Sequence, residues 1–305
     1  MKRRAAWALF AAELVLSRPS RASPESERAS LLDAPAPPTL PPLTHPTLLY
    51  GFEYTAASIE PNDDDDGRAF AWFAHASLEL PLAPRTWYLG VASSSAAAAI
   101  PGVGSSQLLG NPEIWSRGVW SSLLGLSTGG GLGLVLPVPR TLTPLEAEAL
   151  SVVRTVRPWD VAYFSNLTFT FRPSFDIRHV TPRLVFQLRQ GIDWSISEEG
   201  TDFTARATFY GGFRAHPAVG LGLEVWEVYQ VTANLPDDKR AAFTISPSIR
   251  FILPYVAPAV SVLLPIATPL RGDVASYYAL RLNIGFSFNY PAQTKEEEQR
   301  PAGIE

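Results

Sequence analysis

The stretch Tyr278-Ala279-Leu280-Arg281-Leu282-Asn283-Ile284-Gly285-Phe286-Ser287-Phe288-Asn289-Tyr290 decides the fold. Its even positions read Tyr, Leu, Leu, Ile, Phe, Phe, Tyr, and its odd positions read Ala, Arg, Asn, Gly, Ser, Asn. Side chains alternate across a β-strand, so seven apolar positions at period two make one continuous apolar face. The other face is polar or small. The apolar face starts and ends in aromatics, as lipid-facing strands do at the two interfaces of a bilayer. A face carrying Arg, Asn and Gly suits a wet lumen better than open solvent.

The same alternation recurs upstream. Phe243, Ile245, Pro247, Ile249, Phe251 and Leu253 oppose Thr244, Ser246, Ser248 and Arg250. Phe203, Ala205, Ala207, Phe209 and Phe213 oppose Thr204, Arg206, Thr208, Tyr210 and Arg214, while Leu184, Leu188, Ile192 and Trp194 oppose Arg183, Gln187, Arg189 and Asp193. Strands are expected near 47–60, 68–80, 85–97, 110–124, 130–139, 159–171, 182–195, 202–214, 218–232, 241–253, 257–268 and 275–290. Their connections alternate in character. One set is long or charged: 61–67, 94–107, 140–158, 197–201, 236–240 and 270–273. The other is short: 81–84, 127–129, 172–174 (or as far as 179), 216–217 and 254–258. Gly129-Gly130-Gly131 reads as part of a turn. Lipid offers no partner for an unpaired backbone group, so a spanning sheet must close. The expected fold is therefore all-β: a closed antiparallel transmembrane β-barrel of about twelve strands in up-and-down meander order, with the lipid bilayer as its partner. A secreted soluble β-protein is the alternative.

Composition agrees. The chain has 305 residues, 46% of them hydrophobic and 18% charged, with 28 Pro and no Cys. Low charge excludes a disordered chain, and the absence of Cys excludes disulfide scaffolds, thiolate metal sites and cysteine nucleophiles. A net charge of −4 gives nucleic acid no basic patch to meet. The uncharged stretches 86–112, 118–139 and 251–270 are long enough to cross a membrane as helices. Pro254, Pro258, Pro265 and Pro269, or the glycines 125, 129, 130, 131 and 133, break them instead.

The ends differ from the middle. Lys2, Arg3 and Arg4, the apolar run Ala5–Leu16, and Ser20-Arg21-Ala22 form the pattern of a signal peptide over residues 1–22. Its removal takes away five basic residues and one acid, which leaves a net charge of −8. Residues 23–46, with seven prolines, read as an extended periplasmic linker, 47–290 as the barrel, and 291–305 as a disordered polar tail. Within the 140–158 loop, Thr143-Pro144-Leu145-Glu146 matches a capping box with Pro at the first helical position. A short helix over Leu145–Val153 would lie over or in the barrel mouth, most simply as an amphipathic decoration.

No catalytic, cofactor or metal site is expected. His45, His179 and His216 fall in the linker or in turns, so they cannot converge on a metal. His75 and Ser77 share a strand face, as in the outer-membrane phospholipase family, but Leu78-Glu79 replaces that family's Asn-Gly continuation and both side chains point inward. Asp63–Asp66 lacks a calcium-loop spacing and reads as a solvated loop tip. The candidate functional residues are those the strand phases turn into the lumen: Glu53, His75, Glu79, Glu113, Arg172, Arg183, Arg189, Arg206, Arg214, Glu224, Arg250 and Arg281. Asp193 lies nearer a loop. Glu53 is expected to meet Arg281 across the first and last strands, and Glu224 to serve Arg206 or Arg250. Arg172, Arg183, Arg189 and Arg214 then lack a partner, which points to a weak anion preference.

Over residues 47–290 the pattern resembles bacterial outer-membrane β-barrels. The last strand, with Phe286, Phe288 and Tyr290, is similar to the signal read by the barrel-assembly machinery, although fifteen residues follow it here. Leu109-Gly110-Asn111-Pro112-Glu113-Ile114 followed by Gly131-Leu132-Gly133-Leu134-Val135-Leu136-Pro137 resembles the channels of the meta-pathway of phenol degradation family. That resemblance implies a channel for small hydrophobic or aromatic solutes. The rival class is a non-transporting barrel with a structural or adhesive role.

Overall fold

The computed structural model describes residues 48–61, 67–82, 86–121, 126–181, 183–198, 200–232, 240–253, 256–267 and 274–288. The expected signal peptide, linker, Asp63–Asp66 run and C-terminal tail lie outside them. Thirteen strands form one antiparallel sheet: β1 (Leu48–Pro61), β2 (Ala69–Leu82), β3 (Trp87–Ile100), β4 (Gly104–Leu109), β5 (Glu113–Ser121), β6 (Leu126–Val135), β7 (Phe169–Val180), β8 (Leu184–Ser197), β9 (Gly200–His216), β10 (Val219–Gln230), β11 (Ala241–Phe251), β12 (Val256–Pro265) and β13 (Val274–Phe288).

Apart from β4 and β5, each strand pairs with its neighbours in sequence, and β1 pairs with β13 from Leu48↔Phe288 to Pro61↔Val274, which closes the ring. β4 and β5 share one place in that ring. β3 pairs with β5 through Trp87–Ala92 and with β4 through Ser95–Ile100. The barrel thus has twelve staves in meander order, the fourth broken at Gly110-Asn111-Pro112. Gly110 is required at the break, because a Cβ there would stand 2.9 Å from the carbonyl oxygen of Ser94.

The outward face is apolar and ringed by aromatics. Trp87, Trp120, Phe213 and Phe251 are exposed near the end that carries the short turns and the barrel's two termini. Phe70, Trp194, Tyr229 and Tyr278 are exposed near the opposite end, which carries the loops. Leu80, Leu221, Leu223, Ile249, Leu280 and Leu282 fill the belt between them. This matches the apolar band and double aromatic girdle of a lipid-embedded barrel.

Four local expectations are corrected. The loop expected over 94–107 is mostly strand, since β3 continues to Ile100 and returns as β4. The turn expected at 127–129 lies inside β6. Gly129, Gly131 and Gly133 face inward there, where a Cβ on Gly133 would stand 2.2 Å from Glu113 Oε1 and one on Gly131 would stand 2.8 Å from Arg117 Cβ. The glycines leave room for charged side chains lying across them. The strand expected over 159–171 is a 3-10 helix, η1 (Pro158–Phe164), followed by the start of β7. Pro158 sits at the first position of η1, and six of its seven residues are buried. Apolar residues on all sides erase the helical period and counterfeit a strand. The turn expected at 172–174 is within β7 as well. Pro173 has no N–H to donate, and the β7–β8 ladder skips it, passing from Phe171↔Trp194 to Ser174↔Gly191.

Candidate functional site

The loop-end half of the lumen is occupied. Helix α1 (Pro144–Val156) starts at Thr143, whose hydroxyl accepts from the Glu146 N–H at 3.3 Å, while Glu146 Oε2 accepts from the Thr143 N–H at 2.7 Å. This is the reciprocal capping box that the sequence announces. The helix runs three residues beyond the expected Val153 and is not a decoration of the rim. Ala149, Leu150, Val153 and Val156 are buried inside the barrel. The wall that receives them is lined with alanine: Ala57, Ala69, Ala71, Ala96 and Ala98. Small side chains let a helix approach the sheet closely enough to pack without voids. η1 then crosses the lumen. Trp159 stacks on Trp226 of β10 with ring centroids 4.6 Å apart, and one buried cluster joins Ala71 and Ala98 to Tyr277, Leu263 and, farthest round the ring, Val228. The α1–η1 segment is a plug packed from wall to wall.

Polar contacts fasten it. Arg157, between α1 and η1, donates to Glu53 and, at 2.9 Å, to Thr55 on β1, and to Asp160 at 2.7 Å. Its guanidinium lies 4.0 Å from the Phe73 ring centroid. Tyr163 donates to Glu113 on β5, and Arg172 on β7 donates to the Trp159 carbonyl at 3.3 Å. Asn111, fully buried at the break in the fourth stave, uses both polar atoms of its side chain and its backbone N–H. Its Nδ2 donates to the Ser165 carbonyl at 2.7 Å and to that of Ala162 at 3.3 Å. Its Oδ1 accepts from Arg140 Nη2 at 2.7 Å and from the Val138 N–H at 3.2 Å, and its own N–H reaches the Tyr163 carbonyl. Such a residue joins the wall to both ends of the plug.

The residues singled out from the sequence meet partners that alternation alone does not reveal. Glu53 binds Arg157 of the plug, so it does not form the expected pair with Arg281. Arg281 instead bonds Glu224, with Ser261 at 2.8 Å and Ser246 at 3.1 Å around it; both charged groups are fully buried. Glu224 therefore does not serve Arg206, which binds Asp193 at 2.7 Å. Arg172 bridges Asp193 at 3.0 Å and Glu113 at 3.2 Å, and Arg189 binds Asp176 at 2.7 Å, so neither is unpaired as expected. Glu79 accepts from Arg117 Nε at 2.9 Å and from Trp115 Nε1 at 2.7 Å. His75 shares a hydrogen bond of 2.8 Å with Ser94 Oγ and sits under the plug against Phe73 and Tyr163. Arg250 lies in the field of Glu224 and Tyr210. Arg214 is half-buried near the turn end and donates to the Pro217 carbonyl at 3.1 Å. Arg183 lies in the turn before β8, exposed.

No family model matches the sequence, and no curated protein resembles it in sequence. Solved structures do resemble its fold. The COG4313 outer membrane channel from Pseudomonas putida F1 is 11% identical, with a TM-score of 0.59 over 84% of this chain and 99% of that one. The NanC porin is 10% identical, with a TM-score of 0.49 over 77% of this chain and 100% of that one. The chain has the fold of a bacterial outer-membrane β-barrel. The narrower likeness to the phenol-pathway family finds no match of its own.

Several residues of this barrel's lumen escape the sequence reading: Arg117, Arg157, Asp160, Tyr163, Asp176 and Arg178. Arg117 shares its strand phase with Glu113, and Asp176 and Arg178 share theirs with Arg172, so alternation carried the signal. Reading 172–179 as a turn hid the last two. Arg157, Asp160 and Tyr163 belong to a plug that local periodicity does not place inside a barrel.

Proposed function

We propose that the protein is an outer-membrane channel for small solutes, hydrophobic and aromatic ones among them, whose passage is controlled by the α1–η1 plug. The division of the lumen carries this reading. Wall-to-wall packing fills the loop-end half, whereas a Cβ on inward-facing Gly285, in the turn-end half, would meet no atom within 4 Å. The plug is held to the wall through Arg157–Glu53, Tyr163–Glu113, Arg172 and Asn111. Buried ion pairs add little net stability over apolar filling of the same volume. A seam of such groups can be rehydrated when the segment moves, which suits a plug that opens. Aromatic solutes are supported by the rings the plug presents, with Trp159, Tyr163 and Phe164 facing Phe73 and Trp226. They are also supported by the resemblance carried by Leu109–Ile114 and Gly131–Pro137.

The filled mouth also suits a barrel that transports nothing. Liposome swelling with arabinose, glycine and benzoate separates the two. The channel reading expects slow swelling with the full chain and at least several-fold faster swelling once residues 141–166 are replaced by a short Gly-Ser link. Impermeability of both forms to every solute would support the structural barrel instead. Export fits the same proposal: residues 1–22 direct the chain across the inner membrane and are removed, and the barrel-assembly machinery then takes up the barrel by its last strand, so the secreted protein should begin at Ser23. Retention of Met1 would contradict it.

A further inference from the structure

One carboxylate stands on the lipid side of the wall. Along β10 the outward positions read Leu221, Leu223, Val225, Glu227 and Tyr229, and Glu227 is exposed. Tyr229 belongs to the loop-end girdle of aromatics, so Glu227 lies two residues inside it, where the other strands offer apolar or small side chains to the bilayer. Among the described residues Glu227 is the one charged side chain at an outward position between the two girdles, and it has no hydrogen-bond or ion-pair partner there. An ionisable group that faces hydrocarbon is costly, and it marks a place where something other than an acyl chain belongs.

The wall beside Glu227 is hollowed. A cavity of about 520 Å³ opens on the outer surface across β7 to β10. Ala205 and Ala207 of β9 make its floor, because their side chains are too short to fill it, and Pro173, Phe175, Ile192 and Tyr229 stand around it. Its outward polar side chains are Glu227 and Gln190, and both residues pair with Ala207, from opposite sides. Two strand spacings, about 10 Å, separate them. Gln190 also lies inside the belt, four residues from Trp194 of the girdle along β8, and is exposed. A recess of this volume, mostly apolar with a few placed polar groups, has the make-up of a small-molecule site.

We infer that this recess binds an amphiphile from the lipid phase that carries a primary ammonium head on an apolar, ring-sized body. Charge selects the head. Glu227 repels an anion, and a plain hydrocarbon leaves the carboxylate unmet, whereas an ammonium group supplies both the opposite charge and N–H donors. Tyr229, two residues along on the same face, adds a ring that attracts a cation. The body lies over Ala205 and Ala207 between Phe175 and Ile192, and the Gln190 amide offers a further hydrogen bond at the far end. The site is outside the lumen, so it goes beyond the channel reading and needs no conductance.

Isothermal titration of the full chain in phosphatidylcholine nanodiscs, with empty discs as the blank, tests the site. The probes share one ring and differ in the head: 2-phenylethylamine, 2-phenylethanol and 3-phenylpropanoate. Saturable binding of the amine above the blank is expected, with the alcohol and the carboxylate at least ten-fold weaker. Glu227→Gln should weaken amine binding at least ten-fold, and so should Ala207→Leu, which fills the floor with a side chain that lipid tolerates. Glu60→Gln, which removes an exposed carboxylate bonded to Ser276 at the loop end of β1, should change it less than two-fold. Heat-modifiable gel migration establishes that each variant is folded. Amine uptake no greater than that of empty discs, an alcohol or carboxylate that binds as tightly as the amine, or folded Glu227→Gln and Ala207→Leu variants that bind as the wild type does would each overturn the site. Amine binding without solute flux would uphold it and overturn the channel.

Discussion

At the scale of single residues, Asn111 explains most per atom. It is the middle of Gly110-Asn111-Pro112, the break in the fourth stave, and it bonds segments before α1 and after η1. Its substitution leaves several buried polar groups unsatisfied, each at a cost of about 1–3 kcal/mol. Asn111→Ala should therefore loosen the plug while leaving the barrel closed. The expected result is a several-fold rise in single-channel open probability, and an unchanged record would mean that the plug is held elsewhere. Arg281 makes the complementary case. Removing it strands Glu224 in a fully buried site, so Arg281→Ala should cost about 3–5 kcal/mol in urea unfolding from detergent micelles. A loss below about 1 kcal/mol would mean that water reaches that pair.

At the scale of elements, the strands were legible wherever one face met lipid. Leu280, Leu282 and Tyr278 alternate with Arg281 and Ala279 because the bilayer imposes a single criterion on every second residue. Leu282 is exposed on the outer face of β13, paired with Tyr54 and Val260. Leu282→Arg should cost roughly 2–4 kcal/mol if it lies near the bilayer midplane. A neutral effect in vesicle-reconstituted protein would place that face in the lumen. Legibility failed at η1 and at Pro173 for physical reasons. η1 is buried all round and so has no amphipathic period, and a proline on a strand imitates a turn when the ladder can skip it. Gly129–Gly133 misled in the same way, since glycine marks close approach as well as turning. The capping box of α1 was legible because it is local chemistry. Thr143 donors hold the Glu146 carboxyl below its ordinary value of 4.5. A depressed carboxylate contributes its stabilisation above the unfolded value and loses it as pH falls through the folded one. The start of α1 should thus be unaffected between pH 8 and 5 and should fray only below about 4.5. Conductance constant across pH 8 to 5, with a change only in more acid solution that Glu146→Ala abolishes, is the expected record. A transition near neutrality that survives in Glu146→Ala would assign the pH response to another group.

At the scale of the whole molecule, one closed sheet encloses two different interiors. The loop-end half is a packed core in which alanine-lined wall, α1 and the Trp159–Trp226 stack exclude water. The turn-end half is walled by glycine and arginine. Composition could announce that the lumen holds charge, and the strand phases gave most of the residues that carry it. Which arginine meets which acid was beyond reach. Arg157 and Asp160 enter from the plug, and a contact between residues about a hundred positions apart leaves no periodic trace. Closed by its plug, the barrel resists passage; relieved of it, the same wall should conduct. The most direct measurement is single-channel conductance in planar bilayers of the full chain and of a form in which a short Gly-Ser link replaces residues 141–166. The account predicts brief, small openings from the full chain and a stable conductance several-fold larger without the plug. Equal conductance in the two forms, or none in either, would contradict it.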